Sequence, residues 1–271
     1  MGSKRRAELA DNLAAVQSRI AQACAAVGRD QAEVRLIVVT KNFPASDVHL
    51  LAELGVRDVG ENRDQEARAK WSECTDLPLR WHLIGQLQRK KVNSVLHWAD
   101  VVQTVDRPEL AEALNNAAER VGRRLGVLIQ VALDIPLQSA RGGCAPADVP
   151  ALSQYLLSLG HLDLNGVMGV APLLGEPAAA FTRLAQVAGL VHELTPGADQ
   201  ISAGMSGDLE EAIALGATQV RIGGAVLGNR PTLPEGRRLV GAKRCANSGA
   251  KRCGGRRGWR DAQDGRLPRL S

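Results

Sequence analysis

Lys41 ends the largely apolar, β-branched run VRLIVVT (34–40), the kind of strand that is buried on both faces of a parallel sheet. An amine at the carboxyl end of such a strand can form a Schiff base with a carbonyl compound, because desolvation favours the neutral form that the chemistry uses. On position alone it could equally reach from the strand end into solvent. Glu61 and Asn62, in the GEN triplet 60–62, follow a second strand and are expected at the same mouth, able to orient a ring or fix a hydroxyl; alone, the triplet also suits a plain turn. The segment SAGMSGDLEEAIALGATQVRIGGAVLG (202–228) places Ser202, Gly204 and Ser206 after one strand and Gly223 and Gly224 after the next. Glycines let backbone N–H groups close on an anion, a serine hydroxyl adds a donor, and Asp208 marks a helix start, so these loops suit a phosphate. Arg221 lies inside a strand between apolar neighbours, so it is expected to face inward with a charge that it never gives up. His82, in WHLIG, reads as a core histidine bonded to a neighbour, and Lys90 and Lys91 as the start of a solvated helix.

Positioning these groups at one mouth requires parallel strands. Seven further strand-like stretches follow the first, at 56–60, 81–85, 100–105, 127–133, 164–170, 199–202 and 219–223, with helical apolar spacing at 44–54, 62–74, 108–122, 148–159, 176–193 and 207–214. Eight such units predict one closed (β/α)8 barrel of the TIM type, an α/β fold, over 1–234. Residues 4–27 are expected to form an extra amphipathic helix ahead of the first strand, with Leu9, Leu13, Val16, Ile20 and Val27 on one face and Gly28 closing it.

The 271 residues are 45% hydrophobic but only 3% aromatic, which suits a core of small and branched aliphatic side chains. The charge of +5 is unevenly placed: residues 242–271 carry nine Lys or Arg against Asp261 and Asp264, so the tail's +7 leaves −2 for the rest. A near-neutral body argues against nucleic acid as a partner, and the Gly-rich basic segment 235–271 reads as a disordered tail. The five cysteines are scattered, and the tail's Cys245 and Cys253 lack the further ligands that a metal site needs. No apolar run is long enough for a membrane span or signal peptide, so a cytoplasmic protein is expected.

Four blocks, VVTK (38–41), VGENRDQE (59–66), WHLIGQLQRKK (81–91) and the 202–228 segment, together resemble the pyridoxal phosphate homeostasis proteins over about 30–234. The resemblance implies the barrel of the alanine racemase N-terminal domain, without the racemase's second β-domain, and pyridoxal 5′-phosphate (PLP) as cofactor. It implies that Lys41 carries the Schiff base, that Asn62 lies beside the cofactor, that Ser206, Gly223 and Gly224 cradle the phosphate, and that Arg221 partners the pyridine nitrogen. Members of the family are regarded as binders that help balance free cofactor rather than as catalysts. The expected partners are then PLP and PLP-dependent enzymes, and because the missing β-domain takes the racemase's dimer contacts with it, a monomer is expected. Two positions depart from the pattern: Gly224 stands where threonine is usual and Lys90 where asparagine is usual. The same lysine would also serve an amino-acid racemase, or an aldolase-type lyase acting on a sugar phosphate without cofactor. Racemisation needs an acid or base on each face, yet the one tyrosine, Tyr155, falls in an outer helix.

Overall fold

β-branched runs form eight parallel strands, and the amphipathic stretches between them form the helices that cover the outer faces. The computed structural model describes residues 2–134, 142–173 and 175–228, all within the compact unit Met1–Pro231. The expected tail at 235–271 lies outside the described residues.

The chain begins with α1 (Gly2–Ala26) and then alternates: β1 (Arg35–Val39), α2 (Ala45–Glu53), β2 (Asp58–Glu61), α3 (Asp64–Ser72), β3 (Arg80–Leu83), α4 (Val92–Val95), β4 (Val101–Val105) and α5 (Pro108–Arg120). It continues with β5 (Leu125–Val131), α6 (Val149–Leu157), β6 (Leu162–Gly169), α7 (Pro177–Leu194), β7 (Gln200–Ser202), α8 (Leu209–Ala214), β8 (Gln219–Ile222) and α9 (Gly224–Leu227). Each strand pairs with the next in chain order, and β8 closes on β1 with Arg35 beside Gln219 and Ile37 beside Arg221. This is the (β/α)8 barrel expected from the strand pattern.

Side chains alternate between the helix-facing surface and the barrel interior. Val38, Val59, Leu83, Val102 and Val127 join the large core between strands and helices. The interior is different: its apolar cluster is small, Val101, Leu128 and Met168 with Val170 packed against it, and the fully buried Ile37 lies outside the large core. Much of the remaining space is taken by buried polar side chains, including Asp58, His82, Gln103, Ser202, Gln219 and Arg221. Gln103 of β4 bonds to Ser202 of β7 and Gln219 of β8; because these strands are not neighbours, the contacts must cross the interior.

Helix α1 anchors the last part of the barrel. The terminal carbonyls of a helix have no partner within it. At α9, Asn12 donates to Val226 O at 3.0 Å and Arg5 to Leu227 O at 3.0 Å. Arg5 also holds Asp47 of α2, at 3.2 and 2.7 Å. Among the described residues, no helix is long and apolar enough to cross a membrane, and no group of three or more His, Cys, Asp or Glu could hold a metal ion.

Candidate functional site

The chain turns sharply where β1 ends. Thr40 O accepts the Phe43 N–H at 3.1 Å, which makes Lys41 and Asn42 the two central residues of a tight turn. Asn42 has φ of 67°, the left-handed value that asparagine tolerates at the second central position. The turn is clamped from behind: Lys70 of α3, itself buried, donates to Thr40 O at 2.7 Å and to Glu61 Oε1 at 2.5 Å. Thr40 Oγ1 donates to the same Oε1 at 2.6 Å, and Glu66 accepts the Asn42 N–H. Lys41 is half-buried and makes no hydrogen bond or ion pair among the described residues, which leaves its amine available.

Glu61 corrects an expectation. Successive strand residues point to opposite faces, so Glu61 and Asn62 cannot both look into the mouth. Asn62 is exposed at the end of β2 beside Gly85, whereas Glu61 is fully buried against α3. A Cβ on Gly85 would lie 2.1 Å from Asn62 O, so this close approach needs glycine. Burial pushes the Glu61 carboxyl upward, while Lys70 and Thr40 pull it back. Its Oε2 has no hydrogen-bond partner among the described residues.

After β7, Gly204 takes φ of 90° and the chain passes Ser206, which is half-buried. Its carbonyl accepts from Arg19 of α1 at 3.1 Å, and Arg19 also bonds Glu210 at 2.8 and 2.9 Å, so α1 braces this loop too. Asp208 stands at the start of α8, as expected, but its side chain accepts the Met205 N–H at 2.6 Å rather than capping the helix. Gly223 and Gly224 follow β8 directly and open α9, whose first N–H groups have no partner within the helix. Gly223 lies close to Val39 of β1, and a Cβ on Gly224 would meet nothing within 4 Å. Lys41, Asn62, Ser206, Gly223 and Gly224 thus all follow carboxyl ends of barrel strands, at one mouth.

Arg221 is buried below that mouth. Its Nη1 donates to Ser202 Oγ at 2.7 Å and its Nη2 to Gly169 O at 2.8 Å, and no carboxylate among the described residues is paired with it. Burial lowers it to about 10, and it keeps its charge near neutral pH. Ser202, expected in the loop, is instead the last residue of β7 and faces inward. His82 is the bonded core histidine expected of it, held by Asp58 at 2.9 Å and Gln103 at 3.0 Å.

Burial holds the His82 imidazole below its ordinary value of 6.5, outweighing the hydrogen bond it makes to Asp58; Arg80 and Arg35 push the same way as burial. The unfolded chain therefore binds this proton first as pH falls, so the stability that His82 contributes is present above 6.5 and lost below it. The slope is at most about 1.4 kcal/mol per pH unit. Denaturant midpoints measured across pH 7 to 5 are expected to fall more steeply for wild type than for His82→Gln.

The family model of the alanine racemase N-terminal domain matches residues 9–231. The pyridoxal phosphate homeostasis protein of Mycobacterium tuberculosis is 40% identical over 245 residues, spanning 83% of this chain and 94% of that protein. The chain belongs to the pyridoxal phosphate homeostasis protein family. A structure of PipY from Synechococcus elongatus, with PLP bound, is 35% identical with a TM-score of 0.71, covering 81% of this chain and 100% of PipY. Alanine racemase from Corynebacterium glutamicum, 14% identical with a TM-score of 0.62 over 84% of this chain and 62% of its own, shares the fold alone. Of the departures from the homeostasis-family pattern, Lys90 is exposed in a short turn before α4, and nothing in the structure explains the substitution. Lys70 and Thr40 were not singled out from sequence; the available signal was strand parity, which sends Glu61 toward the helix carrying Lys70.

Proposed function

We propose that this protein holds PLP covalently, as a Schiff base on Lys41, and takes part in intracellular balance of the cofactor without turnover of its own. The observation that carries the reading is an unpaired, turn-mounted lysine at the same barrel mouth as two glycine-containing loops, above a buried guanidinium with no carboxylate partner among the described residues.

The residues present fit the cofactor. The open space at Gly224, the free N–H groups of α9 and the half-buried Ser206 suit a phosphate. Asn62, exposed at the end of β2, would contact the ring. Arg221 offers only N–H donors, so it suits a ring nitrogen kept unprotonated. When bound, PLP supplies an aldehyde carbon to the Lys41 amine. The binder reading is supported by Tyr155, the chain's one tyrosine, lying in the outer helix α6 rather than at the mouth. A cytoplasmic setting belongs to the same proposal, supported by the free, buried thiols Cys24, Cys74 and Cys144 among the described residues, and so does exchange of cofactor with PLP-dependent enzymes. So does a monomeric state, for which light scattering is expected to give the mass of one chain.

The test is visible absorption of the purified protein with PLP, followed by borohydride reduction and peptide mapping. A visible band and a label on Lys41 are expected. No band, or a label only on other lysines, would sink the reading, and a sugar phosphate trapped on Lys41 without PLP uptake would favour the lyase.

The open space at Gly224 carries a second prediction. Gly224→Thr should be accommodated and should add one hydroxyl toward the phosphate, a charge-assisted hydrogen bond of about 1.5 kcal/mol or more. PLP retention measured by dialysis is expected to improve about tenfold.

A further inference from the structure

We propose that Ser202, Gln103, His82 and Asp58 form a one-way hydrogen-bond relay that positions Arg221 as a donor toward the ring nitrogen of the bound cofactor. In this relay His82, three hydrogen bonds from Arg221, is a positioning residue; the inference rests on the PLP reading above.

The direction follows from what each group can donate. A guanidinium has no acceptor, so Ser202 Oγ must accept from Arg221 Nη1, at 2.7 Å. The hydroxyl proton then goes to Gln103 Oε1, also at 2.7 Å. With its oxygen so engaged, Gln103 presents its NH2 to His82 Nδ1 at 3.0 Å and to Gln219 Oε1 at 3.1 Å. Nδ1 therefore carries no proton, and the imidazole N–H is on Nε2, donating to Asp58 Oδ1 at 2.9 Å. Asp58, which only accepts, ends the chain, with Arg35 Nε 3.7 Å from its other oxygen. All five relay residues are buried, so no link can be replaced by bulk water without loss.

The reverse order fails at both ends. If Gln103 turned over, Ser202 would receive two donors and lose the acceptor for its own proton. His82 would then need its proton on Nδ1, leaving a bare Nε2 against the Asp58 carboxylate. The two ends thus specify the same orientation, and the relay holds Ser202 as an acceptor for Arg221. With Gly169 O at 2.8 Å as the second contact, the guanidinium is fixed from β6 and β7 together. This explains polar side chains in a barrel interior that helix-wrapped barrels usually fill with branched aliphatics.

The test has two readings. In cofactor-free protein labelled with 15N-histidine, proton–nitrogen spectra at neutral pH should show His82 protonated on Nε2 alone; a proton on Nδ1 overturns the relay. Ser202→Ala and His82→Leu are then loaded with PLP labelled with 15N in the ring. Both are expected to keep the label on Lys41 but to bind about tenfold more weakly, with the ring-nitrogen signal shifted toward the protonated form. Ser202→Thr, which keeps the hydroxyl, should restore both values. A ring-nitrogen signal and affinity unchanged in Ser202→Ala overturn the inference while leaving the PLP reading intact, and the Ser202 pair decides if His82→Leu does not fold. Wild type that takes up no PLP on Lys41 overturns the PLP reading, and the role of Arg221 toward the ring with it.

Discussion

Lys41→Ala is expected to abolish borohydride-stable retention of PLP while changing folding stability by no more than about 0.5 kcal/mol. Both halves follow from the turn. Lys41 is half-buried and unbonded among the described residues, so truncation removes no partner and opens no cavity in the core. The backbone that shapes the turn is held by Thr40, Asn42 and their contacts to Lys70 and Glu66, none of which uses the Lys41 side chain. Reversible binding should survive in weakened form, because the phosphate loops and Arg221 remain. Equilibrium dialysis beside borohydride labelling separates the two: residual dialysable PLP with no label is the expected result. A label that persists in Lys41→Ala would place the Schiff base on another lysine.

The barrel was legible because its strands are short, apolar and rich in β-branched residues, and the helices between them carry a clear apolar face. Boundaries moved where sequence cannot see pairing: the strand expected at 56–60 is Asp58–Glu61, and that expected at 164–170 is Leu162–Gly169. Mouth residues such as Lys41 and Gly223 were legible because strand ends announce themselves locally. The relay was not, since Asp58, His82, Gln103, Ser202 and Arg221 lie on five different strands and none of those strands by itself shows which polar residue it will meet. Only barrel closure brings them together. Glu61 was misplaced for the opposite reason: its neighbour Asn62 is at the mouth, and parity sends adjacent residues to opposite faces.

Lys70→Met is expected to be the most destabilising single change considered, at about 3–5 kcal/mol, because it leaves the fully buried Glu61 without its cation. Burial already pushes the Glu61 carboxyl upward, and losing Lys70 removes the leading opposing influence. The variant should then fold with Glu61 protonated and be rescued in part by lowering pH. The double variant Glu61→Leu/Lys70→Met removes both charges, and apolar replacement of a buried pair is often neutral or stabilising, so most of the lost stability should return. Capture of PLP should not return with it. The double variant still lacks the Nζ donor on Thr40 O, so the turn carrying Lys41 keeps the Thr40 N–H bond to Gly60 O, the Phe43 N–H and the Glu66 contact but loses its clamp from α3. Denaturant midpoints and the rate of visible-band formation, measured on both variants, separate the two effects. Recovery of stability with slow capture assigns the pair to positioning Lys41, whereas full recovery of both makes it a packing element alone.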